Sequence, residues 1–562
     1  LLSLLWSFVA ASLAWGPKQA VGLIRRLQLR RRAVVRVALG RDRSQGSLHG
    51  HVTTLQALQS LTADPYVRAV VLDLRDLSGG QASLQGLRAG LVALRAAGKL
   101  VVVHLDSAGL RELYLASVAH RVWLTPSGEA WLQGMGAQLT FYGDLLERLG
   151  VKVDLMAAGA YKSFGEPYTR AFASAANREQ MLSLVGDLQD RLIQGIAQGR
   201  NIPEDRVRAA MAESPLCAER AAELGLVDGL AWPDQAHAQL EELLSEEVRP
   251  VSLRRYAFWA ALERWLQSFG EPESRTVVVH LEGPIVHGAE ASGGAGHRID
   301  ADRVVPVLDA LAKDDDVGAV VLYVNSPGGS ALASDLIARS VQRLGQQKPV
   351  VAAFGDVSAS GGYFLSAPAA EIIAAEGTIT GSIGVVGGKL VFGPALGQLG
   401  VHAETLAVGP DAGMMGPWEA FNADQRARFQ RMLTRTYDRF LQVVSAGRRR
   451  PVAAIEPYAQ GRVWTGRQAL AHGLVDHLGG LDLALERARS LAGLRERPGS
   501  EAHIRFPPPR FQVLNSLLGR GASLRAADLL PRLVGELGLV PKMLFEQPER
   551  PLLLLPIEID WR

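Results

Sequence analysis

A chain of 562 residues, 48% hydrophobic and 21% charged, has the balance of a globular protein with several cores. A formal charge of +3 offers no electrostatic case for nucleic-acid binding. A single cysteine, Cys217, excludes an intrachain disulfide and a cysteine-rich metal site.

The chain opens on "LLSLLWSFVAASLAW", apolar except for three serines and shorter than the ~20 residues of a full membrane span. Residues 1–29 read as a truncated membrane anchor or an interfacial helix, with a remnant signal or buried helix as alternatives. Lys18 and arginines at 25, 26, 30, 31, 32 and 36 follow, a pattern that favours a cytoplasmic flank.

From there the chain repeats itself. "VRAVVLDLRDLSGG" (67–80) returns as "VGAVVLYVNSPGGS" (317–330), and "YLASVAHRVWLTPSG" (114–128) as "YFLSAPAAEIIAAEG" (363–377). "LGVKVDLMAAGAYK" (149–162) is echoed by "LGVHAETLAVGPDA" (399–412), and "AAELGLVDGL" (221–230) by "ALAHGLVDHLGG" (469–480). Matches in one order at near-constant spacing indicate a duplicated domain. In each copy β-branched runs alternate with amphipathic helical stretches, which predicts an α/β fold with mostly parallel sheets and flanking helices. Copy one is assigned to 30–245 and copy two to 273–490. The link at 246–272 holds "YAFWAALERWLQSFGEP", a predicted helix stopped by Gly270 and Pro272. The extension 491–562 carries prolines at 507–509 and ends in "PLLLLPIEIDWR", read as a docked strand or a membrane-touching segment.

Differences between the copies point to chemistry. Copy two has "NSPGGS" at 325–330, where glycines at 328 and 329 can turn backbone amides toward an oxyanion, bind phosphate, or simply join strand to helix. It also has "SASGG", in which Ser360 precedes Gly361 and Gly362 at a helix start. Ser360 is a candidate nucleophile; the alternative is an N-capping serine beside a close-packed glycine pair. Copy one places Leu110 at that step. Histidine is the usual proton acceptor, but nothing ties His280, His287 or another histidine to Ser360, and no HExxH or ligand cluster suggests a metal. Lys162 follows the small-sided "AAGAY" and could be desolvated into a neutral amine, or could be a surface lysine near Glu166. Copy two has Ala412 there. One copy keeps the lysine and the other the serine, as a composite site requires.

The pieces "AGAYKSFGEP", "NSPGGS", "GDVSASGGYFLSAP", "TITGSIGV" and "GRVWTGRQALAHGLVDHLGG", in that order, resemble signal peptide peptidase A, the long duplicated form once called protease IV. The resemblance spans most of 50–490. It implies a crotonase/Clp-protease-like fold and a serine peptidase with a Ser–Lys dyad, in which Ser360 is the nucleophile, Lys162 the general base and Ser382 the serine that orients the lysine. It implies oxyanion donors among Gly328, Gly329 and Gly361, and no cofactor or metal. The implied substrates are residual signal peptides and other unfolded polypeptides. A homotetramer on the bacterial inner membrane is implied, with its catalytic body on the periplasmic or extracytoplasmic side. The basic residues after the apolar run depart from that placement. Two rival readings are a catalytically silent membrane-associated scaffold and a crotonase-like acyl-CoA enzyme.

Overall fold

The computed structural model describes residues 34–40, 48–267, 275–288, 297–406, 408–409, 411–495, 501–506 and 552–554. The proposed anchor at 1–29, the helix stop at Gly270–Pro272 and the proline cluster at 507–509 lie outside them. Among the described residues, no helix is long and apolar enough to cross a membrane.

The first copy is built on strands β1 (Val34–Leu39), β2 (Ala69–Leu74), β3 (Leu100–Leu105) and β4 (Arg121–Leu124), all parallel, with Val251–Ser252 and Gly229–Leu230 at the edges. Runs such as "LVVVHL" suit strands covered on both faces, where alternation is unnecessary. Helices α1 (Leu48–Ala63), α2 (Gln81–Ala96) and α3 (Leu110–Ala116) and the long α4 (Ala175–Arg200) accompany this sheet. The predicted linker is partly integral to this unit. Val251–Ser252 pairs with β1, and in α5 (Leu253–Gln267) Tyr256 is buried and its hydroxyl donates to Asp64.

The second copy repeats the plan. Strands β6 (Arg275–Glu282), β7 (Val317–Ser326) and β9 (Val350–Ala359) are parallel, and β10 (Ile379–Gly381) extends the sheet beside β9. Between β7 and β9 lie the short strand β8 (Gly328–Ser330) and helix α6 (Ala331–Gly345); α7 (Gly361–Ser366) follows β9 directly. The far edge is β13 (Ala502–Ile504), so part of the C-terminal extension docks on β6 as a parallel strand. The duplicated α/β architecture with mostly parallel sheets is as expected.

The copies are not identical where they meet. In copy one, β5 (Lys152–Ala158) pairs antiparallel with β11 (Val385–Val391) of copy two over seven residue pairs. The counterparts, residues 402–406 in copy two and 135–141 in copy one, form no strand. The sequence echo predicts equal structure; a strand forms only where another strand edge supplies hydrogen-bond partners. Side chains then lock the halves together. Asp356 accepts from the Gly80 and Ser83 amides at 2.8 and 2.7 Å, capping the start of α2. Buried Asp187 of α4 accepts from Thr465 Oγ1 at 2.6 Å and from Arg467. Buried Asp154 of β5 accepts from the Phe421 amide at 2.8 Å and pairs with Arg426. A buried carboxylate persists only when so satisfied.

Candidate active site

Three turns converge where the copies meet. The first ends β9. Ser360 adopts φ 54° and ψ −114°, a sparsely populated backbone state that costs about 1–3 kcal/mol. Its N–H donates to Gly381 O at 2.8 Å, and its carbonyl accepts from Phe364 N at 2.9 Å, so the strained step is held from both sides. Ser360 stands at the N-cap position of α7 yet its side chain makes no capping hydrogen bond. The capping alternative therefore fails, because the hydroxyl is aimed elsewhere.

The glycines after Ser360 are sterically required. A Cβ on Gly361 would lie 2.6 Å from Ser334 Oγ and 3.2 Å from Gly328 Cα, and one on Gly362 would lie 2.9 Å from Ser326 O. This answers why small residues crowd this step: the β8 turn packs directly on the start of α7. Gly328 and Gly329 have φ of 106° and 153°, open to glycine and strained for other residues. The Gly328 N–H is directed to Ser326 Oγ at 3.2 Å. Gly361 opens α7, so its amide has no acceptor within the helix.

The second turn follows β10. Ser382 has φ 53°, and its N–H donates to Arg462 O at 2.7 Å. The third follows β5 and carries Lys162, whose N–H donates to Gly159 O at 3.1 Å. Gly461 lets the copy-two chain pass; a Cβ there would meet Lys162 N at 2.6 Å.

The side chains meet. Lys162 Nζ lies 2.9 Å from Ser360 Oγ, 2.9 Å from Ser382 Oγ and 3.1 Å from Ser382 O. Lys162 is only 5% exposed, and both serines are fully buried. Burial holds the lysine well below its usual range, with no carboxylate contributing an opposing shift. The surface-lysine alternative fails on burial. It fails also on pairing, since Glu166 accepts instead from the Ser174 amide and Asn177 Nδ2. His280 is spent on a 2.9 Å contact with His503.

Sequence reasoning missed the polar bed beneath the lysine turn. Gln180 Nε2 donates to Ser163 Oγ at 3.0 Å and to Tyr161 O at 3.2 Å, and Ser163 Oγ donates to Asn177 Oδ1 at 3.1 Å. All three side chains are buried. Asn177 and Gln180, three apart on α4, share one helix face, and that polar pair beside Met181, Leu184 and Leu188 was the available signal.

A strained serine facing a buried amine on a duplicated α/β scaffold is a geometry suited to a serine hydrolase. The model of peptidase family S49 matches residues 93–247 and 342–495, one stretch in each copy. The chain belongs to peptidase family S49 and is a serine peptidase. It is 32% identical to Protease 4 of Salmonella typhi over 453 residues, 79% of this chain and 72% of that protein. It is 27% identical to the chloroplastic serine protease SPPA of Arabidopsis thaliana over 504 residues, 88% of this chain and 74% of that one. Among solved structures, a ClpP1 mutant from Listeria monocytogenes aligns with a TM-score of 0.25 at 15% identity, over 38% of this chain and 95% of its own. The scaffold and acyl-CoA readings give way to the peptidase.

Proposed function

We propose that this peptidase cleaves residual signal peptides and other unfolded or apolar polypeptides with a Ser360–Lys162 dyad. The observation that carries the reading is the 2.9 Å contact between Lys162 Nζ and Ser360 Oγ in a buried site. Neutral Lys162 takes the Ser360 proton as Oγ adds to the peptide carbonyl carbon. Backbone amides hold the oxyanion, with Gly361 at the helix start better placed to donate than Gly328, whose amide serves Ser326. The ammonium then protonates the departing amine as the C–N bond breaks. Water adds to the acyl-enzyme with Nζ again as base, releasing the acid and restoring Ser360. Relatives named as proteases support peptides as the substrate class.

The test is an acylating serine probe followed by intact mass and peptide mapping. One adduct on Ser360 is expected; an adduct elsewhere, or none, opposes the reading. Ser382 positions the lysine rather than reacting. Ser382→Ala is therefore expected to lower kcat by up to about 100-fold with little change in KM, since a misplaced base loses alignment rather than binding. Kinetics equal to the parent's would reduce Ser382 to a turn residue.

The reading includes a homotetramer anchored at the bacterial inner membrane with its catalytic body on the periplasmic side, where fragments of exported chains arise. Residues 135–141 and 402–406 are the counterparts of β11 and β5, and pairing between neighbouring chains would satisfy both in a head-to-tail ring. Leu399 and Leu406 beside them are 75% and 87% exposed, an apolar surface suited to such a contact. Leu406→Asp is expected to reduce the mass measured by light scattering to that of smaller species. An unchanged mass would remove this surface from the interface.

A further inference from the structure

Gln180 lies between the two turns that supply Lys162 and Ser382, and its side chain is fully buried. Nε2 donates to Ser163 Oγ at 3.0 Å and to Tyr161 O at 3.2 Å, so it holds the residues on either side of Lys162. Oε1 accepts from the Val463 amide at 3.3 Å. Val463 opens β12 (Val463–Thr465), which runs antiparallel to β10 with Val463 opposite Gly381. The residue before it, Arg462, accepts the Ser382 N–H at 2.7 Å through its carbonyl. One amide side chain thus ties the turn of the base to the backbone that seats Ser382.

The duplication supplies an internal comparison. Copy two has a helix α8 (Ala423–Arg448) of the same 26 residues as α4, and each opens on an N-cap side chain that accepts from the third helical residue. Asn177 and Gln180 are the third and sixth residues of α4; Gln425 and Arg428 are the third and sixth of α8. In copy two these positions also serve the echo of the lysine turn. Gln425 Nε2 donates to Asp411 Oδ1 at 3.0 Å, and Arg428 Nη2 donates to both Asp411 oxygens at 2.7 Å, one residue before Ala412. Where the base is absent, a solvent-open ion pair stands at the sixth position. Where the base is present, that position is a buried, uncharged amide. The other charges beside the lysine turn are paired among themselves. Glu166 accepts from Asn177 Nδ2 and the Ser174 amide and lies 3.9 Å from Arg170. Glu179 pairs with Arg462 at 2.9 Å and accepts from the Tyr161 hydroxyl at 3.1 Å.

We propose that Gln180 is the positioning residue of the catalytic base: it sets Lys162 against Ser382 and does so without a charge that would hold the amine protonated. The inference rests on the catalytic reading given above. The chemistry asks for this combination. Holding a turn at two flanking residues needs both a donor and an acceptor, which an amide has. A carboxylate at the same place would favour the ammonium, which cannot take the serine proton.

The experiment compares the parent with Gln180→Leu and Gln180→Glu, measuring kcat and KM on a neutral peptide and kcat/KM against pH. Gln180→Leu keeps the volume and drops the polar bonds. Its kcat is expected to fall at least about tenfold with KM within about twofold, because the base is misplaced while peptide still binds. Gln180→Glu keeps the shape and adds a negative charge. Its kcat/KM midpoint is expected to rise by about one pH unit or more. Arg428→Gln, the copy-two counterpart, should move neither quantity. Parent kinetics in Gln180→Leu, or a midpoint shift in Arg428→Gln equal to that in Gln180→Glu, overturns the proposal. Where the leucine or glutamate chain fails to fold, Gln180→Asn takes its place, a neutral amide one carbon short of its partners. A lowered kcat at the parent midpoint supports the proposal, and an unchanged kcat overturns it.

Thermal midpoints, which need no catalysis, separate this claim from the catalytic one. Near neutral pH, Lys162→Met should raise the midpoint of the parent by removing a buried amine. It should raise that of the Gln180→Glu chain less, or lower it, because there the ammonium has a partner. If that contrast appears while the kinetic midpoint stays put, Lys162 is not the base. The catalytic reading then falls, and the link from Gln180 to the lysine stands. If peptide is hydrolysed but the contrast and the kinetic shift are both absent, the Gln180 assignment alone falls.

Discussion

Ser360→Ala is expected to abolish peptide hydrolysis, lowering kcat by at least about 10^4-fold, while leaving the fold in place. Alanine keeps Cβ and removes only Oγ, the atom that would bond to the substrate carbon. The backbone bonds that fix this step, Ser360 N to Gly381 O and Phe364 N to Ser360 O, do not involve the side chain. The hydroxyl caps nothing, so helix α7 loses no support. Lys162 keeps its contacts with Ser382 Oγ and Ser382 O. The expected picture is an inactive protein with a thermal midpoint near the parent's. A purified S360A protein that still degrades casein at the parent rate would move the nucleophile elsewhere.

Lys162 should govern the pH dependence. An ordinary lysine titrates near ~10.4 and is protonated at neutral pH, when it cannot accept a proton. Burial disfavours the charged form here, so the amine becomes neutral at lower pH. kcat/KM is therefore expected to rise with pH through a value well below ~10.4 and then level off. Lys162→Arg should be inactive at every pH tested, because arginine stays protonated. Stability carries a second signature. Between the depressed value and ~10.4 the unfolded chain binds more protons at this position than the folded one, so this contribution to stability grows with pH. Lys162→Met lacks the term. Its thermal midpoint should exceed the parent's most near neutral pH, and the gap should narrow as pH climbs toward ~10.4. A limiting basic limb near ~10.4, or an active K162R, would rule out the neutral amine.

The duplication, the α/β class and the small-sided step around Ser360 were legible because each is written in local sequence: repeated strings, β-branched runs, and glycines where backbone must pass close. Complementary loss was legible too, since Leu110 and Ala412 stand where copy two keeps Ser360 and copy one keeps Lys162. The resemblance supplied Ser382, which no local pattern singles out. The polar bed of Ser163, Asn177 and Gln180 was missed because its members are separated in the chain and ordinary in type.

Sequence by itself determined which residue types could perform the chemistry and which copy holds each. Tertiary structure decided that they meet. Lys162 and Ser360 lie 198 positions apart, and their 2.9 Å contact depends on β5 of one copy pairing with β11 of the other. It also decided that 152–158 becomes a strand while its echo at 402–406 does not, and that leucines at 552–554 enter the sheet between β8 and β11. Strand pairing between distant segments is set by which edges remain open after the cores have packed. A local string of residues carries no record of that.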